Sequence, residues 1–130
     1  MRRIGKAKKR AIVARMIELL EPAHAWGRGA WRRTEPKAPG GYQFCLLGAA
    51  QQAYEDVYGH APKSDGRGGA IADQLSLVAL IRAKRPVAFI IGSPDPATVV
   101  FQFNDDRLHT RKEDVLGLLR EKQAQLEAEA

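Results

Sequence analysis

The single cysteine of this 130-residue chain, Cys45, stands where a helix is expected to open, in the run Gly40-Gly41-Tyr42-Gln43-Phe44-Cys45-Leu46-Leu47-Gly48-Ala49-Ala50. A thiol near a helix N-terminus has its thiolate favoured by the helix dipole. His24 or His109 would then serve as the base, and Asn104 or Asp105 would orient the ring. Those residue types suit acyl transfer by a cysteine-dependent hydrolase or transferase. The same cysteine lies in the most apolar run of the chain, where a thiol behaves as a small hydrophobe. That second role is the one the surroundings favour. Asn104-Asp105 also has two readings: a binding pair, or a pair that ends a helix and builds a turn through side-chain hydrogen bonds. The three histidines and the cysteine are scattered and match no ligand spacing, so neither a metal nor a cofactor is expected.

A second kind of chemistry lies in the charge. The chain carries 21 Lys plus Arg against 15 Asp plus Glu, a formal +6. The excess belongs to one end. Residues 1–15 hold seven basic side chains and no acidic one, which leaves 14 basic against 15 acidic in the remainder. Arg2, Arg3, Lys6, Lys8, Lys9 and Arg10 could meet phosphates, helped by Arg28, Arg32 and Arg33, with Trp26 and Trp31 stacking on bases. The plainer reading is a solvated, solubilising end, with the tryptophans as core anchors and the arginines snorkelling outward. The glycine-rich stretch from Gly59 to Gly69 lacks the Gly-Lys-Ser/Thr ending of a phosphate loop.

One cysteine excludes an internal disulfide and a four-cysteine zinc site, and it suits a reducing compartment. No apolar run approaches 18 residues, so no membrane span is expected. Arg15 and Glu18 interrupt the only stretch that resembles a signal peptide. A cytoplasmic protein is the expectation.

These residues must be positioned by a small set of elements. A single domain over residues 1–130 is expected. Its basic arm, 1–10, should fray, because lysines at a helix N-terminus oppose the macrodipole. Ile12, Val13, Met16, Ile17 and Leu20 mark one face of a helix over 5–20. Loops are expected at 34–43 and 59–69. Between them, residues 45–58 read as a buried central helix, apolar on every side in its first half. A further helix is expected over 70–82. Residues 87–103 read either as a hairpin of 87–91 with 98–103, or as a helix entered at Ser93-Pro94 or Asp95-Pro96. Thr110-Arg111-Lys112-Glu113 fits a capping box that opens a last helix, with a frayed tail over 124–130. The fold class is mainly α, a compact bundle around the central helix. The alternative is α+β with the hairpin at 87–91 and 98–103.

Four features together resemble a known family, DUF6197. They are Trp26 with Gly29, then Cys45-Leu46-Leu47-Gly48-Ala49, then Asn104-Asp105, then a final helix with Val115 and Leu118-Leu119 opened by Thr110. Phe103 stands where the family has tryptophan, and the turn from Asp106 to His109 differs in detail. The resemblance covers residues 12–122 and favours a helix over 96–104. It implies a small protein of actinobacteria or their phages, and it implies no activity. The function expected is a non-enzymatic interaction module with a protein partner, for instance a phage accessory protein acting on a host factor. The alternatives are nucleic-acid binding through the basic arm and cysteine-dependent catalysis. No membrane partner is expected.

Overall fold

The computed structural model describes residues 3–62, 68–85 and 95–129. Helix α1 runs over Lys6–Leu20 with no side-chain cap and no acidic residue in its first turn. Tertiary packing supplies what the end lacks. Ile12, Val13, Met16 and Leu20 are fully buried, and α1 lies on two neighbours, the central helix and the last one. The chain before it is also tied down. Ile4 is 2% exposed and its N–H donates to Gln74 Oε1 at 2.7 Å. The helix begins at Lys6, close to the start of the span expected over 5–20.

Strands β1 (Arg32–Thr34) and β2 (Tyr42–Phe44) form an antiparallel hairpin across the stretch expected to be loop. Central helix α2, Leu46–Tyr58, follows directly, with Cys45 as its N-cap and Gly59 as its C-cap. Leu46, Leu47, Gly48, Ala49, Ala50, Ala53 and Tyr54 are all buried, as the all-round apolar pattern requires. Two glycines set how closely α2 is approached. A Cβ on Gly48 would lie 1.8 Å from the Trp31 carbonyl oxygen, and one on Gly68 would lie 2.4 Å from that of Leu47. Neither close approach leaves room for a side chain.

The helix expected over 70–82 is two helices, α3 (Gly68–Gln74) and α4 (Leu77–Lys84). Ser76 between them adopts a left-handed conformation, φ 60°, which breaks the run. Helix α5, Pro96–Asp105, excludes a strand over 98–103. The Asp95 carboxylate caps it, accepting from the Thr98 N–H at 3.1 Å and the Thr98 hydroxyl at 2.9 Å, and Pro96 has no N–H to leave unpaired. Val99, Val100 and Phe103 then share one buried face. The proposed partner strand, 87–91, lies outside the described residues.

Helix α6, Lys112–Ala128, starts one residue later than the capping-box reading placed it. Its N-cap is Arg111, whose N–H donates to the Asp114 carboxylate at 2.7 Å. Glu113 is not the returning carboxylate. Thr110 is instead fully buried, and its hydroxyl accepts from Arg85 at 3.1 Å. The helix also continues to Ala128, through most of the stretch expected to fray. The result is mainly helical, six helices with one small hairpin among the described residues, and all six helices contribute to its core.

Candidate functional site

Asn104 ends the buried face of α5, is 1% exposed and makes four hydrogen bonds. Its Oδ1 accepts from Trp26 Nε1 at 2.8 Å and from the Leu46 N–H at 3.0 Å. Its Nδ2 donates to the Gly27 carbonyl at 3.1 Å and to Asp105 Oδ1 at 2.9 Å. Both lone pairs and both donors of the amide are thereby used. The Leu46 N–H is one of the amides a helix cannot pair within itself, so Asn104 also caps α2 from outside. Asp105 extends the junction: its carboxylate accepts from the Gly29 N–H at 3.1 and 3.2 Å. A single turn at the end of α5 thus holds the 26–29 segment against the start of α2.

Cys45 lies inside this junction. Its Sγ accepts from the Gly48 N–H at 3.4 Å, and its own N–H donates to the Trp31 carbonyl at 3.3 Å. Burial pushes its thiol pKa up, against the lowering effect of the Gly48 and Leu47 amides. A nucleophile needs the opposite shift. The histidines serve elsewhere. His109 Nδ1 meets the Asp106 carboxylate at 3.0 Å on the exposed turn after α5. His24 is exposed, with φ 65°. Asn104 orients an indole and two backbone groups, not an imidazole. Among the described residues no group of His, Cys, Asp and Glu is placed to hold a metal ion, and no helix is long and apolar enough to cross a membrane.

The structure divides the basic residues into two groups. Arg3, Lys6, Lys8, Lys9 and Arg10 lie at the start of α1, with Lys8 Nζ 5.3 Å from the Tyr58 ring at the far end of α2. Arg2 lies outside the described residues. Arg28, Arg32 and Arg33 form the second group, with Arg32 lining a groove beside Arg15, Glu18 and Leu19 in the latter half of α1. Arg28 is largely consumed by the fold. It stacks over Trp26 at 4.7 Å and donates to the Thr110 carbonyl at 2.6 Å. Arg33 donates to the Arg28 carbonyl at 3.1 Å. Arg32 is exposed and lies 4.5 Å over the Tyr42 ring.

A family model described as a family of unknown function, DUF6197, matches residues 6–124. The chain belongs to the DUF6197 family. No curated protein and no solved structure matches it. Of the residues that carried the DUF6197 resemblance, Trp26, Gly29, Cys45, Gly48, Asn104 and Asp105 meet at this junction, while Val115, Leu118 and Leu119 lie in the core on α6. In this DUF6197 chain their visible work is to hold the hairpin and the 26–29 segment on α2.

That work leaves a surface on display. Trp31 is 38% exposed and Tyr42 is 42% exposed. Tyr42, Arg32 and Phe44 line a groove of about 420 Å³ with Arg15, Leu19, Pro39 and Asp56. Trp31 lines a second hollow of about 320 Å³ with Gln51, Gln52 and Glu55. Arg32, Phe44 and Gln52 belong to both. The hairpin escaped the sequence reading. Its signal was present in Tyr42-Gln43-Phe44 and Arg32-Arg33-Thr34 flanking the turn-rich Pro36–Gly41. Arg85 was also missed. It joins Thr110, the His109 carbonyl and Asp106, the last at 3.7 Å.

Proposed function

We propose that this protein is a non-enzymatic interaction module whose contact surface is the β1–β2 hairpin with the adjoining face of α2. One observation carries the reading: a hairpin whose β2 pairs with the 25–27 segment that Asn104 holds in place presents Trp31, Arg32 and Tyr42 to solvent beside two hollows. Tryptophan, tyrosine and arginine are the residue types that dominate binding energy at protein interfaces. A fastened surface also loses little conformational freedom on binding. The partner is a protein. In keeping with the resemblance, we place the chain in an actinobacterial or phage-infected cytoplasm, as an accessory protein acting on a host factor.

The test is capture from actinobacterial lysate, treated with nuclease, by the wild-type protein and by the Trp31→Ala/Tyr42→Ala variant. A partner held by the first and lost by the second is expected. A partner held equally by both overturns the reading.

A second reading rests on the other basic group. Arg3, Lys6 and Lys8 are exposed at the start of α1 and would meet phosphates. Binding to single- or double-stranded nucleic acid would then fall steeply with salt, and replacing these three with glutamine would abolish it. Binding indifferent to both changes refutes it.

A further inference from the structure

Among the described residues, the two-stranded sheet has one paired edge and one unpaired edge. The Cys45 N–H donates to the Trp31 carbonyl, and the Glu35 N–H donates to the Gly41 carbonyl at 2.9 Å. The register pairs Arg32 with Phe44, Arg33 with Gln43 and Thr34 with Tyr42. Antiparallel bonds alternate along a strand. Trp31, Arg33 and Glu35 therefore turn their backbone groups toward β2. The N–H and C=O of Arg32 and Thr34 point away from it. On the far side of β2 the outward groups of Phe44 are taken: its N–H donates to the Ala25 carbonyl at 2.9 Å, and its carbonyl accepts from the Gly27 N–H at 3.0 Å. No described residue does the same for β1, all three of whose residues are exposed.

We infer that β1 is a docking edge, on which an extended, acidic segment of a partner protein adds as a further strand. The inference rests on the hairpin being the contact surface and specifies what it contacts. Two outward donors and two outward acceptors supply the backbone pairing. Charge chooses the occupant. Arg32 and Arg33 project to opposite faces of the strand, and the strand holds no acidic residue. Whichever face the acidic side chains of the added strand take, an arginine flanks them. The same arginines disfavour a second copy of this chain, because two β1 edges laid together bring like charges side by side. The face shared by Arg32, Tyr42 and Phe44 borders the groove of about 420 Å³, which Arg15, Glu18 and Asp56 also line.

The test is amide hydrogen exchange, followed by NMR on the full chain. The probe is a capped hexapeptide alternating glutamate and valine, and its lysine–valine counterpart is the control. The Arg32 and Thr34 amides should exchange fast in the free protein and at least tenfold more slowly with the glutamate peptide. The Arg33 amide, already paired, should not change, and the lysine peptide should do nothing. Thr34→Pro removes an outward donor and no inward bond, so it should abolish the slowing at Arg32. Arg32→Glu/Arg33→Glu should reverse the preference to the lysine peptide, which keeps the test intact if the proline variant misfolds. No slowing at Arg32 and Thr34, or equal slowing by both peptides, overturns the inference. So does slowing without peptide that grows with protein concentration, which would identify the occupant as a second copy. A lysate partner lost by Trp31→Ala/Tyr42→Ala but kept by Thr34→Pro overturns edge pairing and leaves the hairpin surface standing. A partner kept by all variants overturns the surface itself.

Discussion

Replacing Asn104 with alanine removes an amide that satisfies four partners at once. The Trp26 indole N–H and the Leu46 N–H lose their acceptor, and the Gly27 carbonyl loses a donor. A buried polar group left unpaired costs about 1–3 kcal/mol. Leu46 is 0% exposed, so its amide carries the full cost. Trp26 and Gly27 are half-buried, and water recovers part of theirs. The sum is about 3–4 kcal/mol, set against a total stability of roughly 5–15 kcal/mol for a domain. For a chain of this length that corresponds to a fall in Tm of about 10–15 °C. Urea unfolding followed by tryptophan fluorescence measures it, as a shift in midpoint with little change in slope. Asn104→Asp provides a sharper check. It keeps the acceptor for Trp26 and Leu46 but sets a carboxylate against the Gly27 carbonyl and against Asp105, whose oxygen lies 2.9 Å from Nδ2. Its folded pKa is therefore raised. The protonated form, which again donates, is the stabilising one, so this variant should be closest to wild type in acid and lose stability as pH rises. A loss under about 0.5 kcal/mol for Asn104→Ala, the range of ordinary surface substitutions, refutes the role assigned to the junction. So does an aspartate variant whose deficit does not grow with pH.

Three further outcomes are expected. Gly48→Ala should gain about 1 kcal/mol from helix propensity alone, yet its methyl would sit 1.8 Å from the Trp31 carbonyl oxygen. A net loss of about 1–3 kcal/mol in urea unfolding is the prediction, and a stabilised variant contradicts it. Cys45 should react slowly with a disulfide reagent at pH 8 and rapidly once denaturant is added, because burial raises its pKa and shields the sulfur. Rapid native reaction would return the cysteine to consideration as a nucleophile. At Asp106, burial pushes the carboxyl pKa up, but hydrogen bonds from the His109 ring and the His109 and Leu108 amides, with the His109 charge, bring it below the usual range. Its stabilising contribution is present above the ordinary carboxylate pKa of about 4 and is lost as pH falls through the lower folded value. Thermal melts from pH 6 to pH 2 should therefore show wild type losing more stability in acid than Asp106→Asn, and parallel curves would contradict this.

Much of the helical framework was legible because it is written in local periodicity. Ile12, Val13, Met16 and Leu20 repeat at helical spacing and are all buried on α1. Val115, Leu118, Leu119 and Leu126 do the same on α6. The run from Leu46 to Ala50 is apolar on every side and sits in the core. Where local signals competed, tertiary contacts chose. Residues 98–103 have the β-branched and aromatic content of a strand, but the Asp95 cap and the buried face of Val99, Val100 and Phe103 make them a helix. The break at Ser76 separates two helices that each pack on α5, and no proline or glycine announces it.

The residues that could have been catalytic were visible in the sequence, and what they do was not. An asparagine, an aspartate, a cysteine and two histidines suit acyl transfer equally well whether or not they meet. Asn104 reaches Trp26, Gly27 and Leu46 across 78, 77 and 58 residues of chain, and no periodicity encodes contacts at that range. The sequence alone determined which faces had to be buried, because burial of apolar surface follows from spacing along a helix. Only the tertiary structure decided that the polar residues between those faces spend their hydrogen bonds on one another. Burial leaves each such group one choice, a partner or a penalty, and the fold supplied the partners.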